Sequence, residues 1–395
     1  MTVLFSYAFR PLFLLATLYA IAVIPLWVLA WLGYVPVPSS LGTPTSWHAH
    51  EMIHGFAAAA IGGFALTAVA TWTNRPPVSG APLMILSALW IVARALFALP
   101  SSSVPLAGIV ADLAYGTLLF ALMSREVVGA HSQRNYKVLL ILGLLPMTNA
   151  LFFWASTRSA GWTTAALFSA LWLVVFLINL IGGRIIPVFT RNWLIRFITG
   201  QQSEKMSPPT FDRFDRLATA FMIAFALLHL DGGSPRWTAA VGLITSILFF
   251  IRLGRWQGIH ARAEPLVWVL HLAFAWLPVG FLLLAAAELG LLARTAGAHA
   301  LTSGAISTMI VAVASRAALG HTNRPLESHL VLTAAYVLIT FAAVCRVAAT
   351  FGPGARPLLA FSALAWCAGF VCFAWRYLPI LTQPRLQAPG SLRTL

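Results

Sequence analysis

The sequence predicts an all-α polytopic membrane protein with twelve transmembrane helices. Three observations carry this. Apolar residues make up 60% of the 395 residues and charged residues only 9%, against about 25% charged in an average soluble domain. Mean hydropathy is +0.86. Apolar runs of about 20 residues recur along the chain, the length that spans a hydrocarbon core. They are continuous rather than alternating, which argues for helices over a barrel. Disorder needs low hydrophobicity and high charge and is excluded.

The expected spans follow in order. The first, 9–33, begins at Phe9 and lacks a small-residue cleavage site, so it reads as a mature helix rather than a signal peptide. The second, 48–73, opens on Trp47-His48-Ala49-His50-Glu51-Met52-Ile53-His54 and ends in Thr73-Asn74-Arg75-Pro76. Spans 80–99 and 104–128 carry Arg94 and Asp112 at similar depth on adjacent helices. An ion pair is their simplest explanation, because an unpaired charge there is costly. Span 137–156 is followed by 162–187, which ends in Gly182-Gly183-Arg184-Ile185-Ile186-Pro187. Arg184 is placed to snorkel or to bind an anionic group.

The longest hydrophilic stretch, 188–210, contains Ser207-Pro208-Pro209-Thr210. It is the hinge candidate between halves 1–200 and 211–395 of a single membrane domain, 1–395. Spans 211–230, 236–256, 264–290, 298–320, 327–350 and 356–380 complete the set. Cys345, Cys367 and Cys372 fall in the last two and form neither C-x-x-C nor C-x-x-C-H, so a zinc knuckle and covalent c-type haem are excluded. They read as small buried apolar residues.

The chain has 25 Lys+Arg against 10 Asp+Glu, a formal charge of +15. In a soluble protein this would suggest nucleic acid. Here the basic residues punctuate apolar runs, so no nucleic-acid partner is expected and the surrounding lipid is. With the N-terminus in the cytoplasm, the outer side holds Arg94, Arg158, Arg236, Arg294, Arg346 and Arg356. The other 19 of the 25 lie inside, a bias that places both termini in the cytoplasm.

Residues 48–76 align on 297–325 with ten identities in 29 positions. They include His50/His299, Gly55/Gly304 and Thr73-Asn74-Arg75-Pro76 on Thr322-Asn323-Arg324-Pro325. A histidine stands 24 residues before each Asn, and a glycine five residues after each histidine. Internal repeats in membrane proteins mark sites at their interface; convergent helix-end chemistry is the alternative. Spans 2, 6 and 10 all run inward, which suggests three arcs of four helices. At about 1.5 Å rise per residue, His48, His50, His54, His229 and His299 lie toward the outer interface. His271 lies deeper from the inside, and His321 ends span 10.

Neutral imidazole is the commonest metal ligand. His48 and His50 are about 200° apart around a helix and would serve two centres; His50 and His54 share a face. Ionisable residues in a membrane helix are functional hypotheses by default, which makes Glu51 a candidate too. His50-Glu51-Met52-Ile53-His54 also matches H-E-x-x-H, in which two histidines bind zinc and the glutamate is the base. An intramembrane zinc protease is therefore one alternative. A small-solute or metal transporter built on the repeats is another, with Arg184, Arg75 and Arg324 as gates.

These motifs resemble those of the NnrS family. The similarity runs nearly end to end. It includes Phe9-Arg10-Pro11-Leu12-Phe13, Trp47 to Met52, Gly182 to Asn192, His271 before Trp276-Leu277-Pro278, His299-Ala300-Leu301-Thr302 and Ser315 to Pro325. The sequence departs from the family pattern at His54 and at Asn323. The resemblance implies a bacterial inner-membrane protein carrying haem and copper and linked to nitric oxide, nitrosative stress and denitrification. The haem would be b-type and non-covalent. By analogy with haem–copper oxidase catalytic subunits, a fold-level likeness only, His50 and His299 are expected to flank one haem. Gly55 and Gly304 would make room for the macrocycle, and Arg294 would meet its propionates. His48 would face a second centre, copper, and His271 and His321 form a further candidate metal pair. No catalytic residue, electron donor or oligomeric state is assigned.

Overall fold

The computed structural model describes residues 3–36, 41–99, 105–197, 208–352 and 355–387. Among them there is no strand. Among the described residues, twelve helical rods overlie the expected spans. They are α1 (Phe9–Trp31), α2 (Pro44–Thr73), α3 (Ala81–Phe97), α4 (Leu106–Gly129), α5 (Tyr136–Ser156) and α6 (Ala160–Phe197), then α7 (Arg213–Asp231), α8 (Pro235–Arg255), α9 (Pro265–Glu288), α10 (Arg294–His321), α11 (Leu330–Ala348) and α12 (Ala355–Thr382). Ten are long and apolar enough to cross a membrane. The exceptions are α3, with 17 residues, and α7, whose first turn carries Arg213, Asp215 and Arg216.

Local chemistry sets the rod ends. Thr43 caps α2 by accepting from the Ser46 N–H at 3.1 Å, with Pro44 in the first turn, where its missing N–H is harmless. Asp212 and Asp215 form a reciprocal capping box at α7. The acid that caps α7 also pairs with Arg255, which holds the Asp212 carboxyl well below the usual carboxylate range. α6 runs ten residues beyond its expected end at 187, with Pro187 inside the helix. The expected loop 188–210 is thereby shortened. Part of the hinge candidate, Ser207, and residues 198–206 lie outside the described residues.

The repeat extends past the aligned segment. α2 contains a π-helical stretch at Glu51–Ala57, and α10 contains one at Ala300–Ile306. Both pairs of bounds differ by 249, the offset of the sequence alignment. The same offset carries the start of α3 onto α11 and the start of α4 onto α12. Asn74 and Asn323, again 249 apart, both sit in the left-handed region, with φ of 53° and 58°. Short π segments are uncommon and concentrate at functional sites.

By packing, the chain divides into two units. Unit 1 comprises 1–159, 313–335 and 370–395; unit 2 comprises 160–312 and 336–369. This partition differs from halves 1–200 and 211–395. In unit 1, α1 packs on α2, and α4 lies between α3 and α5. Arg10, 2% exposed, donates to the Leu381 and Gln383 carbonyls at 2.8 and 2.6 Å and so caps the end of α12. In unit 2, α8 packs on α7 and α9, and α9 packs on α6 and α10.

Candidate functional site

Unit 1 buries a closed set of ionisable side chains. His50, at the entry to the π segment, and Glu51, its first residue, are both 0% exposed. His50 Nδ1 lies 2.9 Å from Glu51 Oε1. Its Nε2 lies 2.9 Å from Asn149 Oδ1 and 3.3 Å from Asp112 Oδ2. Arg94 of α3 reaches Glu51 Oε1 at 3.1 Å and also pairs with Asp112 of α4. Tyr19 of α1 donates to Glu51. The expected Arg94–Asp112 ion pair is thus present, but as one edge of a five-helix network.

The donor pattern sets the charge state of His50. Asn149 Nδ2 donates to Asp112 Oδ2 at 2.8 Å, so the amide oxygen is the end that faces His50. A carbonyl oxygen only accepts, so Nε2 carries a proton. Glu51 accepts from Tyr19 and forms an ion pair with Arg94, so a Glu51 carboxylate also accepts from Nδ1. With an acceptor facing each ring nitrogen, the pocket suits His50 as an imidazolium. Two cations then balance Glu51 and Asp112, as a buried cluster requires. Phe152 stacks on the His50 ring at 4.6 Å, and Phe97 and Phe153 pack around it, an aromatic lining that suits a cation.

Both ring nitrogens of His50 are engaged by protein side chains, an arrangement that does not favour the axial role expected from the sequence. Gly55 does not make room for a macrocycle: a Cβ there would stand 2.7 Å from an Arg94 nitrogen and 3.0 Å from the Tyr19 ring. The space is already filled by the network. The H-E-x-x-H residues are also engaged by protein partners. His54 lies beside His50, ring centroids 5.1 Å apart, with a buried Nε2 that has no hydrogen-bond partner. His50 and Glu51, the first ligand and the base of that motif, are held by other side chains.

Unit 2 treats its half of the repeat differently. Position 300, equivalent to Glu51, is Ala300. His299 Nδ1 donates to the Thr295 carbonyl at 2.7 Å, which makes Nε2 the basic nitrogen. This backbone contact is how a ligating histidine is commonly oriented, and His299 fits a ligand role. Gly304 instead admits the Trp276 indole, which a Cβ would overlap. Arg294 is held at 3.2 Å by Glu288, whose other neighbour is His229 Nδ1 at 3.2 Å. A propionate would have to compete with that carboxylate.

His271 of α9 donates from Nε2 to Thr190 Oγ1 at 2.8 Å, because the Thr190 hydroxyl donates to the Ile186 carbonyl. Its Nδ1 faces Gly258, where a Cβ would collide with the ring. The ring is walled in by protein and falls in unit 2, while His321 falls in unit 1 between the Tyr7 and Phe9 rings. His48 stacks flat on Trp27, centroids 4.6 Å apart. Arg75 pairs with Glu126 at 2.8 Å, and Arg324 reaches Gln383 at 3.4 Å. Arg184 lies inside α6.

Sequence reasoning missed a second buried cluster. Arg252 of α8, 0% exposed, pairs with Asp215 of α7 and donates to Asn179 of α6. Gly183 leaves the space its guanidinium fills. Arg252 was counted with the loop charges. The signal was an acid four residues inside an apolar span, matched by a basic residue near the end of the next. Among the described residues, no group of three or more His, Cys, Asp or Glu side chains is arranged to hold a metal ion.

Comparison with known proteins gives one result for nearly the whole chain. The family model described as NnrS protein matches residues 3–385. No curated protein matches the chain significantly.

Proposed function

Because the chain belongs to the NnrS family, we propose that it is a haem-carrying inner-membrane protein that binds nitric oxide or limits nitrosative damage. In this reading all twelve rods cross the membrane, with both termini in the cytoplasm, in three four-helix arcs. His299 would hold the haem iron. The observation that carries this assignment is its Nδ1 contact to Thr295, which leaves the ring basic at Nε2. Iron would supply the affinity for nitric oxide. The chain's own part is to orient one imidazole and to keep His50 from competing for the metal. For copper, the described donors do not fit as a set, so no step is assigned to it.

The test is an optical and EPR spectrum of the full-length protein purified from haem-replete cells, with and without nitric oxide. We expect a Soret band that shifts with nitric oxide, is lost in His299→Ala and survives in His50→Gln. A wild-type protein without a Soret band would overturn the proposal.

A second reading, a small-solute transporter, draws support from the π segments at equivalent places in two repeats. Uptake into proteoliposomes that Arg75 or Arg324 substitution abolishes would favour it.

A further inference from the structure

The two copies of the Thr-Asn-Arg-Pro turn share one backbone and differ in charge. In each, the Asn sits at positive φ and the following arginine N–H reaches back five residues, Arg75 to Ala70 at 3.2 Å and Arg324 to Leu319 at 3.0 Å. In the first copy the arginine finds an acid: Arg75 Nε lies 2.8 Å from Glu126 Oε2 on α4, and Arg125 shares that carboxylate at 2.7 Å. The offset of 249 carries Glu126 onto Trp375 of α12, whose side is 77% exposed, and Arg376 follows it. The acid of the first copy has become an apolar residue beside another cation.

Cations accumulate there without a counter-charge. Arg10 and Arg324 both reach Gln383, through its carbonyl at 2.6 Å and its Oε1 at 3.4 Å, and the Arg376 charge acts on Arg324 as that of Arg385 acts on His321. Burial, and then Arg376, push the Arg324 guanidinium below its ordinary value. Arg324 NH1 is buried without a hydrogen-bond partner, as is Arg10 Nε. Among the described residues, no ion pair joins Arg10, Arg324, Arg376 or Arg385 to a carboxylate. Glu327, the nearest acid in sequence, is exposed and makes none. Clustered arginines with open donors at a helix end suit a tetrahedral oxyanion.

We infer that this end of unit 1 binds a phosphate group at Arg324 and Arg376, where the bound anion takes the place that Glu126 holds in the first copy. The phosphate comes either from the headgroup of an anionic phospholipid in the cytoplasmic leaflet or from free phosphate. The inference is independent of haem.

The experiment uses the full chain, purified and delipidated in a mild detergent. Its thermal unfolding midpoint is followed against phosphatidylglycerol, phosphatidylcholine, and inorganic phosphate balanced against chloride at equal ionic strength. A ligand that binds only the folded protein raises the midpoint with its concentration. We expect phosphatidylglycerol to raise it more than phosphatidylcholine. A matching rise with inorganic phosphate identifies the free anion as the source, and a rise with the lipid alone identifies the headgroup. Arg324→Gln with Arg376→Gln should weaken the response about tenfold or more, while Arg75→Gln should retain wild-type affinity. Trp375→Glu restores the missing acid. It should raise the midpoint without additive and remove the response, and it carries the test if the double variant fails to fold. No shift with any additive, or an unchanged response in the Arg324/Arg376 variant and in Trp375→Glu, would overturn the inference.

Discussion

His50 Nε2 and Asn149 Oδ1 lie 2.9 Å apart, and the opposite end of that amide donates to Asp112. One neutral side chain thus engages the histidine nitrogen that a metal would need. His50→Ala should therefore act on the fold rather than on a metal. It leaves Glu51 and Asp112 facing a single guanidinium. Removing one partner from a buried ionic cluster costs about 3–5 kcal/mol. We expect a clear drop in the detergent unfolding midpoint, with haem per folded molecule unchanged. Haem loss from a variant that unfolds at the wild-type midpoint would contradict the donor pattern.

Charge balance predicts a rescue. Glu51 and Asp112 carry two negative charges, and Arg94 and His50 two positive ones. Arg94→Met alone leaves one excess negative charge in the interior. Arg94→Met with Asp112→Leu restores neutrality and leaves the Glu51–His50 pair. The double variant should unfold at a higher temperature than Arg94→Met, a non-additive result expected of residues in one network. A double variant whose loss equals the sum of the single losses would show that the pair acts independently.

The sequence made part of this legible. The 249-residue offset was readable from His50/His299 and the Thr-Asn-Arg-Pro turns, and the structure extends it to the π segments and to two more helix pairs, α3/α11 and α4/α12. The Arg94–Asp112 pair was readable because two opposite charges sat at one depth on adjacent spans. The remainder of the network was not, because Tyr19 and Asn149 are neutral residues on helices distant in sequence, with no charge or period to mark them. The π segments were invisible because apolar patterns are read at 3.6 residues per turn. Gly55 and Gly304 were read as space for a ligand. A glycine announces close approach but not what approaches, and here protein side chains do.

That last point makes a prediction for α10. Gly304→Ala would place a Cβ against the Trp276 ring. Overpacking of this kind costs about 1–3 kcal/mol. The midpoint should fall, and Gly304→Ala with Trp276→Leu should recover most of the loss because the smaller side chain clears the new methyl. If the glycine instead served a macrocycle, the second substitution would not help, and the Soret band would weaken in both variants alike.

The Arg252 cluster offers the sharpest steric test. Gly183 lies against the Arg252 guanidinium, whose Nε is bound to Asp215 and NH1 to Asn179. A methyl at 183 cannot be absorbed by moving Arg252 without breaking one of those contacts deep in unit 2. Gly183→Ala should therefore lower the midpoint as far as Asp215→Asn does. Combining the two should cost less than the sum, since the guanidinium freed from its acid can turn away from the methyl. Arg252→Lys should not rescue Gly183→Ala, because an ammonium reaches one partner where the planar fork reaches two. Additive losses in the Gly183→Ala/Asp215→Asn protein would mean that the glycine serves some other contact.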